Sequence, residues 1–262
     1  MNAERPRGEA PVTKEETLVS LLKKSQRRRG VPIRKTFLQQ GSRTEPQPGP
    51  IATLVRHRDE RALDLFLLHR TLATKAPYDT RLEAGVWARM ISAEGPSGRT
   101  AVSRAWGRLS DLRLVERRRG GRLAVVRSLR EDGTGAPYSA PGLSPNDTYL
   151  QLPLWYWLAG YDSRLALPGK AALLIFLSLR DGWCSLPSER VPDWYGISAD
   201  TAERGIDELV ALKVLWRRPA FRRTPLVSSG FTKINEYQIN PAFQKRRKLI
   251  ATTAGLEQLK TG

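Results

Sequence analysis

Apolar residues recur at helical spacing after Ser97. Val102, Ala105, Trp106, Leu109 and Leu112 share one arc at about 100° per residue, and Thr100, Ser103, Arg104, Gly107, Arg108 and Asp111 fall on the opposite side. The spacing predicts an amphipathic helix with Ser97 as its cap. Short apolar-basic arms over 114–119 and 122–127 flank Gly120-Gly121, a pair suited to positive φ, so a tight hairpin is predicted next. The pattern then returns. Sliding 102–118 onto 202–218 pairs Arg104 with Arg204, Trp106 with Ile206, Leu109 with Leu209, Leu112 with Leu212 and Arg117-Arg118 with Arg217-Arg218, without a gap. A repeat that carries both the helix face and the start of the hairpin predicts two stacked units.

Other segments fit around these two. A helix is expected over 59–72 with Leu63, Phe66 and Leu67 inward. Another is expected after Thr80-x-x-Glu83, which has the form of a capping box, with Leu82, Val86, Trp87, Met90 and Ile91 on its core side. In the second half, Pro168 opens a helix to about residue 180, and Ser198 caps the helix that runs to Leu212. A strand over 214–218, a long loop over 219–232 and a strand over 233–239 are predicted after it. Tyr149, Trp155, Tyr156, Trp157 and Tyr161 alternate with Leu150, Leu152, Leu154 and Leu158 without a basic residue between them, which predicts core or dimer-interface packing over base stacking.

Composition divides the chain further. Pro, Gly and charge make 1–50 a basic flexible tail, with a short helix over 15–24 inside it that carries Leu18, Leu21 and Leu22. The first unit is expected over 51–130, a Gly/Pro-rich linker over 131–147, the second unit over 148–241 and a basic tail over 242–262. A length of 262 residues accommodates two domains of about 100 residues plus tails. The net charge of +18 and pI of about 10.6 point to a polyanion, and the arginine-rich balance favours bidentate phosphate or guanine contacts.

Several chemistries have no foothold in this sequence. Cys184 is the single cysteine, His57 and His69 the only histidines, and no metal cluster, Walker loop or nucleophile elbow is visible. Pro168-Gly169-Lys170 lacks the rest of a phosphate loop. No enzyme activity, cofactor or metal is therefore expected. No apolar run approaches the ~18 residues of a membrane span and the leader has no signal core, so a cytoplasmic protein without a membrane partner is expected.

A helix offering hydroxyls and guanidiniums, backed by an arginine-studded hairpin, resembles the recognition helix and wing of a winged helix-turn-helix domain. Two such units over about 59–240 of a basic chain are similar in arrangement to plasmid replication initiators. The units also resemble bacterial winged-helix repressors, with helix ends Leu112-Arg113-Leu114-Val115 and Leu212-Lys213-Val214-Leu215. The resemblance implies a mainly α fold with small β-hairpin wings in two winged helix-turn-helix domains. Its functional implication is a sequence-specific double-stranded DNA-binding protein, a transcriptional regulator of a plasmid or mobile element. A replication initiator is the alternative, and a protein-interaction adaptor using the second unit's acidic helix is a third reading.

Charge separates the two units. Arg99, Thr100, Ser103, Arg104 and Arg108 on the first helix, with Arg117, Arg118, Arg119 and Arg122 on its hairpin, are the candidate DNA contacts of the first unit. On the second helix Asp200, Glu203, Asp207 and Glu208 surround Arg204, which is expected to pair with Glu203, Asp207 or Glu208. The first unit is thus the expected base reader, whereas the initiators it resembles bind their repeats through the second. The second unit would hold DNA through Arg204, Arg217, Arg218, Arg222 and Arg223 or offer its helix to a protein partner, and a homodimer stays open.

Overall fold

A computed structural model of the chain describes residues 10–27, 30–42, 44–121, 123–179 and 181–244. Helix α1 (Lys14–Ser25) opens on a capping box: Thr13 Oγ1 accepts from the Glu16 amide at 3.1 Å, and Glu16 Oε2 accepts from the Thr13 amide at 2.8 Å. Strands β1 (Val31–Arg34), β2 (Gln39–Gly41) and β3 (Pro46–Pro48) precede helices α2 (Ile51–Arg56) and α3 (Glu60–Leu72). Next come β4 (Asp79–Arg81), α4 (Ala84–Met90), α5 (Gly98–Asp111) and the hairpin β5 (Val115–Gly120) and β6 (Leu123–Ser128). The second half holds β7 (Tyr149–Leu152), α6 (Trp155–Leu158), α7 (Tyr161–Arg164), α8 (Leu167–Ser178), α9 (Val191–Tyr195) and α10 (Ala199–Ala211). It closes with β8 (Leu215–Arg223), β9 (Phe231–Ile239) and α11 (Pro241–Gln244).

Of the described residues 43% are helical and 22% lie in strands, spread over several small sheets. This overturns the expectation of a mainly α fold made of two winged helix-turn-helix domains. The strands pair as β1–β7, β2–β3, β4–β6–β5 and β8–β9, each antiparallel. β1 comes from the expected tail and β7 opens the second half, so Val31 faces Leu152 and Ile33 faces Leu150 across the middle of the chain. One buried apolar cluster runs from Leu18 through Phe66, Trp106 and Phe176 to Phe243.

The segments read as tail and linker are folded because their charges find distant partners. Leu18, Leu21 and Leu22 of α1 are buried, Lys14 Nζ pairs with Asp162 at 2.7 Å, and Arg27 donates to the Thr71 and Arg70 carbonyls at 3.0 and 2.8 Å. Arg34 is buried, and its guanidinium meets Asp147 at 2.6 Å and Glu131 at 2.7 Å. Both partners belong to the expected linker. Burial works against this cation, but hydrogen bonds from Arg34 to Asp147 and Glu131 outweigh it and hold its pKa above the usual value. Arg70 lies beside it, 3.6 Å above the Tyr138 ring. At the other end Phe243, placed in the expected C-terminal tail, is buried against Tyr161. Residues 1–9 and 245–262 of the two tails lie outside the described residues.

The internal repeat is visible in three dimensions. Val102, Ala105, Trp106, Leu109, Leu114 and Val115 are buried in the first copy, and Ala202, Gly205, Ile206, Leu209, Val214 and Leu215 in the second. Both helices end through a left-handed residue, Arg113 at φ 53° and Lys213 at φ 57°. The next amide then turns back to the helix, from Leu114 to the Leu109 carbonyl at 3.0 Å and from Val214 to the Leu209 carbonyl at 2.9 Å.

The local chemistry differs from the pattern in three places. Ser97 makes no side-chain cap, whereas Ser198 Oγ accepts from the Thr201 amide at 3.2 Å. Thr80 belongs to β4, paired with Val126, and bonds His69, so it is not half of a capping box. The first hairpin turns after Gly120 pairs with Leu123, with Gly121 at φ 70°. The second has no long loop over 219–232: its strands continue to Arg223 and restart at Phe231. At ~3.4 Å per residue its nine-residue strands reach roughly 30 Å.

The aromatic segment packs in part, because Tyr149 stays exposed and Trp155 and Tyr161 are only partly buried. Tyr156 and Trp157 are buried, and Trp157 Nε1 donates to Thr71 Oγ1 at 3.0 Å.

Candidate nucleic-acid interface

Helix α5 buries one face against α3 and α4 and leaves the other polar, as its 3.6-residue spacing requires. Arg99, Thr100, Ser103 and Arg104 are exposed on that outer face. Arg108 is not available in the same way, because its Nε lies 2.7 Å from Asp59 Oδ2. The cations of the helix that have no carboxylate partner among the described residues, Arg99 and Arg104, therefore lie in its first two turns.

Thr100, Arg104 and Arg108 line a cleft of about 1030 Å³ whose other wall carries Arg58 and Arg61. That wall also holds carboxylates, but most are matched internally. Lys170 Nζ lies 2.8 Å from Glu60 and 2.7 Å from Asp64, and Asp162 is held by Lys14. Burial pushes the Asp64 carboxyl up to about 6, with the Lys170 charge pulling in the opposite direction. Arg58 and Arg61 are exposed and have no carboxylate partner among the described residues. Sequence reading passed over both. Their signal was the basic run Arg56, His57, Arg58 and Arg61 at the break between α2 and α3.

On the first hairpin Arg117 and Arg119 are exposed without a carboxylate partner among the described residues, and Arg118 lies 2.8 Å from Glu116. Arg122 lies outside the described residues. Beneath this unit His69 bridges Thr80 Oγ1 and Ser128 Oγ at 2.9 Å each. Burial first, then the neighbouring Arg70 charge, pulls its pKa down to about 3.

The second unit spends its charges on itself. Arg204 meets Asp200 at 3.1 Å, not Glu203, Asp207 or Glu208 as expected, because Asp200 sits one turn earlier on the same stripe. Asp207 takes Arg217 at 2.8 Å, and Glu208 Oε1 accepts the Ala166 amide at 2.8 Å at the start of α8. Arg218 pairs with Glu236 at 2.8 Å and lies 4.2 Å over the Trp183 ring, and Arg222 donates to Ser185 Oγ at 3.0 Å. Of the predicted contacts here only Arg223 is exposed with no partner among the described residues. Three of the four acids counted against α10 are thus already engaged.

Comparison of the chain with protein-family models, curated proteins and solved structures gives no match. No described helix is long and apolar enough to cross a membrane, and no group of three or more His, Cys, Asp or Glu among the described residues is arranged to hold a metal ion.

Proposed function

We propose that this chain binds double-stranded DNA through α5 and the β5–β6 hairpin and acts as a regulator by occupying particular sites. The observation that carries the reading is the set of exposed guanidiniums on one helix–hairpin unit, Arg99, Arg104, Arg117 and Arg119, none with a carboxylate partner among the described residues. A free arginine on the leading turns of a helix suits a guanine edge, and flanking arginines suit phosphates. Thr100 and Ser103 add donors and acceptors on the same turns. Arg58 and Arg61 across the cleft extend the cationic surface beyond the unit itself.

Selection of bound sequences from a random duplex library tests the reading. Enrichment of a common motif is expected. Affinity for that motif should fall roughly 10³–10⁵-fold from about 50 to 200 mM salt if six to ten phosphates are neutralised. A chain that retains no duplex at the lower salt does not have this function.

A further inference from the structure

We propose that the β8–β9 arm is a wedge that bends duplex DNA: its apolar tip enters the minor groove and parts a base step while its cations hold the flanking phosphates. The inference rests on the duplex-binding reading and assigns the second unit a different task from the first. Register supplies the first argument. Phe221 faces Lys233 and Arg223 faces Phe231 across the ladder, and residues two apart on a strand share a face. Two rings and two cations therefore alternate in a block on one face of the arm. Phe221 is 71% exposed and Phe231 54%, and Arg223 and Lys233 have no carboxylate partner among the described residues.

The tip adds a second argument. Leu226 is 99% exposed at an apex preceded by Pro225. The turn beneath it is closed by its own backbone: Thr224 donates to the Gly230 carbonyl at 2.8 Å, Val227 to Thr224 at 3.1 Å and Gly230 to Val227 at 2.8 Å. The leucine is thus presented outward by a self-bonded turn. Apolar side chains driven between base steps, flanked by cations, are how minor-groove proteins kink a duplex.

Other occupants suit the arm less well. Beyond the Cys184 bridge to Tyr237 at its base, the two-stranded ribbon has open outer edges, and in a bilayer their N–H and C=O groups would lack partners, whereas a DNA groove is wet. Edge-to-edge pairing with a second copy along the outer half of β8 would bring Arg222 and Arg223, neither with a carboxylate partner among the described residues, against like charges.

The test uses the full chain and a duplex of about 40 base pairs with 2-aminopurine at a central TA step, an easily unstacked step, and a donor–acceptor dye pair on its ends. A rise in 2-aminopurine emission and a shortening of the end-to-end distance are expected. The Leu226→Ala, Phe231→Ala double variant should lose both signals while its affinity stays within about tenfold, because unstacking cost and added contacts largely offset. Leu143→Ala, an exposed leucine outside the arm, should change neither. Tight duplex binding with no emission rise and no bend overturns the wedge and leaves the duplex-binding reading standing. Failure to bind any duplex, with capture by phosphatidylserine vesicles or with a dimer that Leu226→Ala dissociates, overturns both.

Discussion

Arg104 and Arg204 stand at equivalent places on α5 and α10, yet Arg104 is without a carboxylate partner among the described residues and Arg204 lies 3.1 Å from Asp200. Arg117 and Arg217 repeat the contrast one strand later, the second held 2.8 Å from Asp207. The residue aligned with Asp207 is Gly107, so a single position decides whether the hairpin arginine has an intramolecular carboxylate. Burial and backbone bonding are shared, while charge satisfaction is not. Equivalent residues in a repeat can thus keep one structural role and differ in whether they can receive a ligand. Exposed ion pairs are individually worth only ~0–1 kcal/mol, so the second unit's pairs compete with phosphate weakly but continuously.

The comparison can be broken most forcefully at its shared frame. Leu109 and Leu209 are both fully buried, so Leu109→Ala and Leu209→Ala should each lower stability by about 2–5 kcal/mol in chemical denaturation. A marked inequality would mean that the two helices are not supported alike.

Acid should then separate the units. His69 underlies the first only, with its ring edge-on to Trp106 of α5. Its folded pKa of about 3 lies below the ordinary 6.5, so the fold excludes a proton that the unfolded chain takes up. The stability this contributes is complete above pH 6.5 and is lost as pH falls from 6.5 towards 3. Asp64 acts in the reverse sense, because its raised pKa of about 6 makes the fold take up a proton earlier than the unfolded chain does. Hydrogen exchange should show α5 and β6 loosening before α10 on acidification, and His69→Gln should remove that order.

Binding provides a smaller and more specific contrast. Arg104→Ala should cost about 1–3 kcal/mol on a selected duplex and relax preference at one position, with Arg204→Ala costing less. Gly107→Asp would install the second unit's pattern in the first. A Cβ there meets nothing within 4 Å, so the fold should be retained while affinity falls by about tenfold, a loss of ~1.4 kcal/mol read by fluorescence anisotropy. The converse change, Asp207→Ala, frees Arg217 and should strengthen duplex binding by less than about 1 kcal/mol. If Arg204→Ala abolishes discrimination and Arg104→Ala spares it, the assignment of the units is reversed.

The parts of the fold that sequence reveals are those whose partners are near in the chain. Trp106 and Leu109 declare a buried face through spacing alone, and Arg113 and Lys213 end their helices by the same local turn. Arg34 gives no such signal. Its partners Glu131 and Asp147 lie in a segment whose glycines and prolines read as linker, and only the folded chain brings the three together. Thr80 misled for a related reason, since its three-residue spacing to Glu83 fits a cap while its actual partner is His69. At the site, the free arginines of α5 were legible, but Arg108 was lost to Asp59 and the arm's exposed phenylalanines lay in a stretch read as loop.

The pairing of β1 with β7 also sets a timetable for synthesis. Val31 leaves the ribosome long before Leu152, and at ~5–20 residues per second its strand partner follows roughly 6–24 s later. Through that interval the edge of β1 is open and Arg34 lacks Asp147, so a nascent chain halted before Thr148 cannot close the central ladder. Arrest there should give a protease-sensitive species, and release past Leu152 should make the leading half resistant in one step.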